Sequence, residues 1–168
     1  MAGSVRILGT RQLITLAHRL RAAGGPRLQR NMSRRIRRAA EPLQKYLQQA
    51  IRTVQLPGSG RTVRGGPTAN TRPLRATLAG GIRISVRQTG NPGARVWMDK
   101  GRLPRDLRNM PWVIDEGRVR HPVFGNRRHW TTQWARPTGW WSRTVQSGLP
   151  RMNQEIERIT DDVRRDLE

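Results

Sequence analysis

Cysteine does not occur in the 168 residues of this chain, which rules out disulfides and thiolate-bound metals and leaves no redox signature. No apolar run approaches the roughly 20 residues that cross a bilayer, so no membrane partner is expected. Lysine is nearly missing as well: Lys45 and Lys100 are the only two, and arginine carries almost all the positive charge. Carboxylates are scarce, 11 against 33 Lys and Arg, for a formal charge of +22. Through residue 98 a single carboxylate, Glu41, answers nineteen basic side chains. A compact chain charged in this way repels itself and attracts polyanions: nucleic acid, an anionic membrane face or acidic protein surfaces. The planar fork of arginine suits phosphate and carboxylate geometry, and its weak hydration suits burial at interfaces. GC-rich coding DNA produces the same bias without any functional cause.

Catalytic groups are equally few. The three histidines, His18, His121 and His129, have no HExxH, GxSxG, phosphate-loop or paired-carboxylate setting around them. His121 and His129 flank a short turn, but with no cysteine or spaced carboxylate nearby a structural role outweighs a metal site. Asp115-Glu116 reads as a local partner for Arg118 and Arg120 in preference to an acid and base pair. Gly65-Gly66 and Gly80-Gly81 lack the strand-glycine-helix context of a phosphate cradle and read as turns. No enzyme, cofactor or metal is expected.

What is present organises into one domain, 1–168. Residues 10–55 are the helical region. Thr10 is placed to cap a first helix with Leu13, Leu16, Ala17 and Leu20 at helical spacing, ended by Gly24-Gly25. From Arg27 to about Val54, Leu28, Met32, Ile36, Ala39, Leu43, Tyr46, Leu47, Ala50 and Val54 share one face of a long helix. Arg27, Arg30, Arg34, Arg37, Arg38, Lys45 and Arg52 gather opposite. Pro42 removes a backbone donor there and predicts a kink. Residues 57–72 have the Gly, Pro and Thr content of a long exposed loop, an interaction element that orders on contact. A short helical turn, 73–79, follows.

Ile82, Ile84 and Val86 alternate with Arg83, Ser85 and Arg87 at the period of a half-buried strand. With a turn at 89–93 and a returning strand to Met98, they predict a β-hairpin over 82–98, which needs more strand to be stable. Residues 112–136 read as an aromatic-rich turn segment: five of the six tryptophans and the only Phe lie between 112 and 141. From 138 to 166 a terminal helix returns, with Trp141, Val145, Leu149, Met152, Ile156 and Ile159 three or four apart, and a kink expected at Gly148-Leu149-Pro150. The last fourteen residues hold six of the 11 acids and form a mixed-charge tail. The fold class is α+β, with the long N-terminal amphipathic helix and the C-terminal helix packed on a small antiparallel sheet.

The run Arg120-His121-Pro122-Val123-Phe124-Gly125-Asn126-Arg127, then Trp130-Thr131-Thr132-Gln133, then Pro137-Thr138-Gly139-Trp140-Trp141 ahead of a long helix, resembles the neck or tail-completion proteins of siphophages. These are often called minor tail proteins, and the likeness is to the form in phages and prophages of actinobacteria. It extends to Arg72-Pro73-Leu74-Arg75 in the loop, where the commoner family form has Thr-Gly before the Leu-Arg pair, and covers roughly residues 10 to 165. The resemblance implies a structural virion protein at the head-tail junction, acting by self-assembly. As partners it implies further copies of the chain in a ring, connector, terminator or tail-tube proteins, and a possible DNA contact in the channel.

Interface candidates are His121, Pro122, Phe124, Gly125, Trp130, Trp134, Trp140, Trp141, Arg64, Arg72 and Arg75. In the HPVFG turn Phe124 is expected to point inward, with Gly125 allowing the backbone to reverse. The tryptophans fill either the monomer core or a surface buried on assembly, and the sequence leaves both open. Arg30, Arg34, Arg37 and Arg38 are the polyanion-facing candidates, although a solvated helix keeps its arginines on that face too. The alternative function is an RNA-binding component of a ribonucleoprotein, such as an organellar ribosomal protein, which the high pI and the Arg-rich, acid-free, transit-like start would suit. A basic DNA-associated protein is a third reading.

Overall fold

The computed structural model describes residues 4–8, 14–15, 26–56, 73–87, 93–123 and 126–165. In chain order the elements are β1 (Ser4–Leu8), α1 (Pro26–Thr53), α2 (Leu74–Gly80), β2 (Ile82–Arg87) and β3 (Gly93–Met98). Two single 3₁₀ turns follow, Lys100–Arg102 and Arg105–Leu107, then α3 (Met110–Glu116), β4 (Arg118–Val123), β5 (Asn126–Trp134) and α4 (Trp140–Arg165). The architecture is α+β, as the alternation of helical and period-2 patterns requires.

α1 is 28 residues long, about 42 Å at 1.5 Å per residue, and organises the rest. It runs antiparallel to α4. Arg35 meets Asp162 near one end, at 4.0 Å, Arg151 donates to the Tyr46 hydroxyl along the middle, and Gln55 pairs with Arg136 at the other end. Met32, Ile36, Ala39, Leu43, Leu47 and Val54 are buried, as the wheel predicts. Tyr46, assigned to the apolar face, is instead exposed, and its hydroxyl stays at the surface where Arg151 reaches it.

The buried arc of α1 is wider than one stripe because the helix is covered from two sides. Its flank toward the sheet carries Ala40 and Ile51, both fully buried. Gln44 Nε2 donates to the Ile82 carbonyl at 2.7 Å, and Gln48 Nε2 to that of Ala79 at 3.4 Å. These bonds satisfy backbone acceptors at the joint between α2 and β2 that burial would otherwise leave costly. The layer order is therefore α4 on α1 and α1 on the sheet, so the C-terminal helix meets the sheet chiefly through α1.

The first sheet is antiparallel in the order β1-β3-β2. The predicted hairpin is present, with Ile82 opposite Met98 and Ile84 opposite Val96, and β1 adds the third strand that the hairpin needed. Inward residues Ile82, Ala94, Val96 and Met98 are buried against α1, while Arg83, Ser85 and Arg87 are exposed.

The second sheet, β4-β5, corrects the sequence reading of 112–136. That segment is a helical turn followed by a β-hairpin, with a register shift between Pro122 and Val123. Pro122 lacks an N–H and His129 to Gln133 has no apolar alternation, so neither strand announces itself in sequence. α1 and α4 each continue as assigned helix through Pro42 and Pro150. Of the first predicted helix only Ile14 and Thr15 are described, both helical; the remainder and the 57–72 loop lie outside the described residues.

A candidate docking surface

The root of the β4-β5 hairpin is fixed by a short-range scaffold. α3 begins with Pro111 in its first turn and ends at Gly117, whose φ of +83° is a left-handed C-cap. A Cβ there would collide with Thr138. Asp115 does not serve Arg118 and Arg120 as expected. Its carboxylate caps α4 instead, accepting from the Trp141 amide at 2.8 Å and the Ser142 hydroxyl at 3.1 Å. The Gly139 amide donates to the Asp115 carbonyl at 2.7 Å, and the Ala135 amide to that of Gly117 at 2.9 Å. Ala135 and Val119 are buried at this root.

Beyond the root the hairpin stands clear, and β5 is exposed along most of its length. The register sets Arg118 opposite Trp134 and Arg120 opposite Thr132. With period 2, Arg118, Arg120, Trp130, Thr132 and Trp134 therefore share one face. Trp130 is 48% exposed and Trp134 56%. The Arg120 guanidinium lies 5.4 Å from the centre of the Trp130 ring, a cation-π contact, and Trp130 Nε1 donates to the Arg127 carbonyl at 2.8 Å. Between residues 118 and 136 there are five arginines and no carboxylate.

At the foot of this face lies a cleft of about 560 Å³ lined by Gln55, Leu56, Arg75, Trp134 and Arg136. Backbone pairing holds its wall: the Gln55 amide donates to Arg136 at 2.7 Å and the Arg136 amide returns the bond at 3.0 Å. Arg75 Nη1 donates to the Arg52 carbonyl at 3.5 Å from the opposite side. Among the described residues the lining is cationic and aromatic with no carboxylate, suited to an anionic or aromatic group from outside.

The structure separates the interface candidates. Trp134 and Arg75 line the cleft at the hairpin foot, and Trp130 lies four residues away along β5 on the same face as Trp134. His121 is half-buried on the other hairpin face, in register with Thr131, and Pro122 stands at the register shift. Trp140 and Trp141 are corrections: they are 3% and 8% exposed, packed edge to face at 5.5 Å, with Trp140 Nε1 donating to the Pro111 carbonyl at 3.2 Å. They belong to the monomer core because they open α4, whose first turn is pinned under α3. Phe124, Gly125, Arg64 and Arg72 lie outside the described residues.

Arg30, Arg34, Arg37 and Arg38 are exposed along α1, and Arg34 bonds the Asn31 side chain. Sequence reasoning missed Arg118, Arg120 and Arg136; the alternation Arg118-Val119-Arg120 was the available signal. Among the described residues no group of three His, Asp or Glu side chains is placed to hold a metal ion, and no helix is long and apolar enough to cross a membrane. Among known protein families, curated proteins and solved structures, none matches this chain.

Proposed function

We propose that this chain is a structural virion subunit at the head-tail junction, a neck, tail-completion or tail-terminator protein that works by self-assembly and docking. The observation that carries a docking role is the pair of exposed tryptophans, Trp130 and Trp134, set among arginines on a hairpin fixed only at its root. Leaving about half of two indole rings in water forgoes on the order of 2 kcal/mol each. Trp and Arg are also the residues that dominate binding energy when they become buried between proteins. The head-tail placement rests on the likeness of the 120–141 segment to siphophage neck proteins.

The test is the mass of the purified chain, alone and mixed with connector and tail-tube proteins, for wild type and Trp130→Ala/Trp134→Ala. A multi-copy ring or a stable complex that the double variant loses, with its helical circular dichroism intact, is the expected result. A folded monomer that ignores those proteins, or one that co-purifies with RNA, would favour the ribonucleoprotein reading and overturn this one.

A further inference from the structure

A second cationic face lies away from the hairpin, on the solvent side of the three-stranded sheet. Arg83 and Arg87 project from β2 and are exposed, with Ser85 exposed between them. The register places Arg83 opposite Trp97 and Ser85 opposite Arg95, so Arg95 sits one strand over and midway between the two β2 arginines. At strand spacings, Arg83 and Arg87 are about 13 Å apart along β2, and Arg95 is roughly 8 Å from each. Its guanidinium lies 5.1 Å from the centre of the Trp97 ring. This stacking fixes the plane of the fork while leaving its edge N–H groups to bind a ligand. The Arg95 Nε atom, shielded from water, has no hydrogen-bond partner among the described residues.

Like the hairpin arginines, and unlike those of α1, the arginines of this face have no carboxylate beside them among the described residues. β1, β2 and β3 contain no Asp or Glu. The next acid along the chain, Asp99, is occupied: it accepts from the Gly101 amide at 3.1 Å and lies 3.8 Å from Arg102. The arginines of α1 are in a different situation. The acidic end of α4 runs antiparallel beside them, and Asp162 reaches Arg35 at 4.0 Å. An ordinary solvated sheet face mixes charges of both signs, and this one is unmixed.

We propose that the outer face of the β1-β3-β2 sheet binds the phosphate backbone of nucleic acid through Arg83, Arg87 and Arg95. The mode is sequence-neutral. Trp97 is half-buried beneath Arg95 and orients that side chain, so it is not a platform for a base. A membrane surface fits less well, because among the described side chains of β2 and β3 this face offers no exposed apolar group to insert. The inference stands on the sheet alone and does not depend on the docking role of the hairpin.

The experiment measures binding of the full chain to a fluorescein-labelled 30-base-pair DNA duplex, and to a single strand of the same length, by anisotropy from 50 to 200 mM NaCl. Three proteins are compared: wild type, the sheet triple Arg83→Gln/Arg87→Gln/Arg95→Gln, and the equally discharged helix triple Arg34→Gln/Arg37→Gln/Arg38→Gln. Three lost phosphate contacts remove about 2.7 from the duplex salt slope, a change in salt sensitivity of roughly 40-fold over that range. That loss is expected in the sheet triple, with little change in the helix triple and the wild-type slope retained in Arg83→Lys/Arg87→Lys/Arg95→Lys.

The double variant Arg83→Gln/Arg87→Gln, which leaves Arg95 on Trp97, keeps the test decisive if the glutamine triple folds poorly, with about 1.8 expected off the slope and an unchanged slope overturning the proposal. Equal losses in the two glutamine triples would reduce the effect to net charge and overturn the proposal. So would stripping of the duplex by poly-glutamate at equal charge concentration, which would assign the face to an acidic protein. A wild-type chain that stays monomeric and ignores connector and tail-tube proteins while still binding DNA in this way would sink the hairpin proposal and leave this one standing.

Discussion

At the scale of single residues, Asp115 does more than its sequence position suggests. It sits in the last turn of α3, yet its carboxylate caps α4 at Trp141 and Ser142, while its carbonyl accepts from Gly139. One residue thus joins α3, the hairpin root and the first turn of the C-terminal helix. Replacing it with Ala removes both side-chain bonds and leaves the Trp141 amide without its partner, a cost of about 1–2 kcal/mol. For a chain of this size that is a fall of roughly 2–8 °C in Tm. Thermal unfolding of Asp115→Ala checks it, and Asp115→Asn, which keeps one acceptor oxygen, is expected to lie between. An unchanged Tm in both would show that α4 is held by packing alone.

At the scale of elements, stability is concentrated where α1 is sandwiched. Leu43, Leu47 and Ile51 are fully buried, and Gly148 brings α4 close at Leu43. A Cβ on Gly148 would come within 2.9 Å of Leu43 Cδ1, so glycine, a weak helix former, is kept here for the approach it permits. Gly148→Val therefore forces the helices apart, and overpacking of this kind costs about 1–3 kcal/mol. Urea denaturation of Gly148→Val should show a lower midpoint at unchanged slope. The same substitution at exposed Ser147 should be milder, limited to its helix-propensity cost. Equal effects at the two sites would mean that the close contact is not energetically significant.

On the hairpin, β4 and β5 have little packing beyond their root, so substitutions at Trp130 or Trp134 are expected to change association far more than stability. The sequence made α1, α2, the β2-β3 hairpin and α4 legible, because each carries an apolar face at the period of its own element. It hid β1 and the β4-β5 hairpin: five residues are too short a pattern, and Pro122 with the polar run before Trp134 breaks the alternation. Trp140 and Trp141 were recognisable as aromatic, but their burial depends on α3 lying across the start of α4.

For the whole molecule, charge of +22 works against the compact state. Ion pairs between described residues lie at the surface, among them Arg158 with Glu155 at 3.2 Å, Arg165 with Asp162 at 3.1 Å, Arg102 with Asp99 at 3.8 Å and Arg35 with Asp162 at 4.0 Å. Such pairs contribute about 0–1 kcal/mol each. Self-repulsion outweighs them, and salt screens it over a Debye length of about 10 Å at 0.1 M. Raising NaCl from 50 to 500 mM is thus expected to raise the Tm of the isolated chain by several degrees, and binding to a polyanion should raise it further. A Tm that falls with salt would mean that these pairs hold the fold together.

Composition and periodicity by themselves determined the class of this protein: an arginine-rich, cysteine-free α+β chain with two long amphipathic helices, because burial periodicity and net charge are local properties of the sequence. Only the tertiary structure decided which tryptophans are core and which are surface, and which arginines meet acids. Those outcomes depend on register, on layer order and on the antiparallel run of α4 beside α1, all of which join residues far apart in the chain.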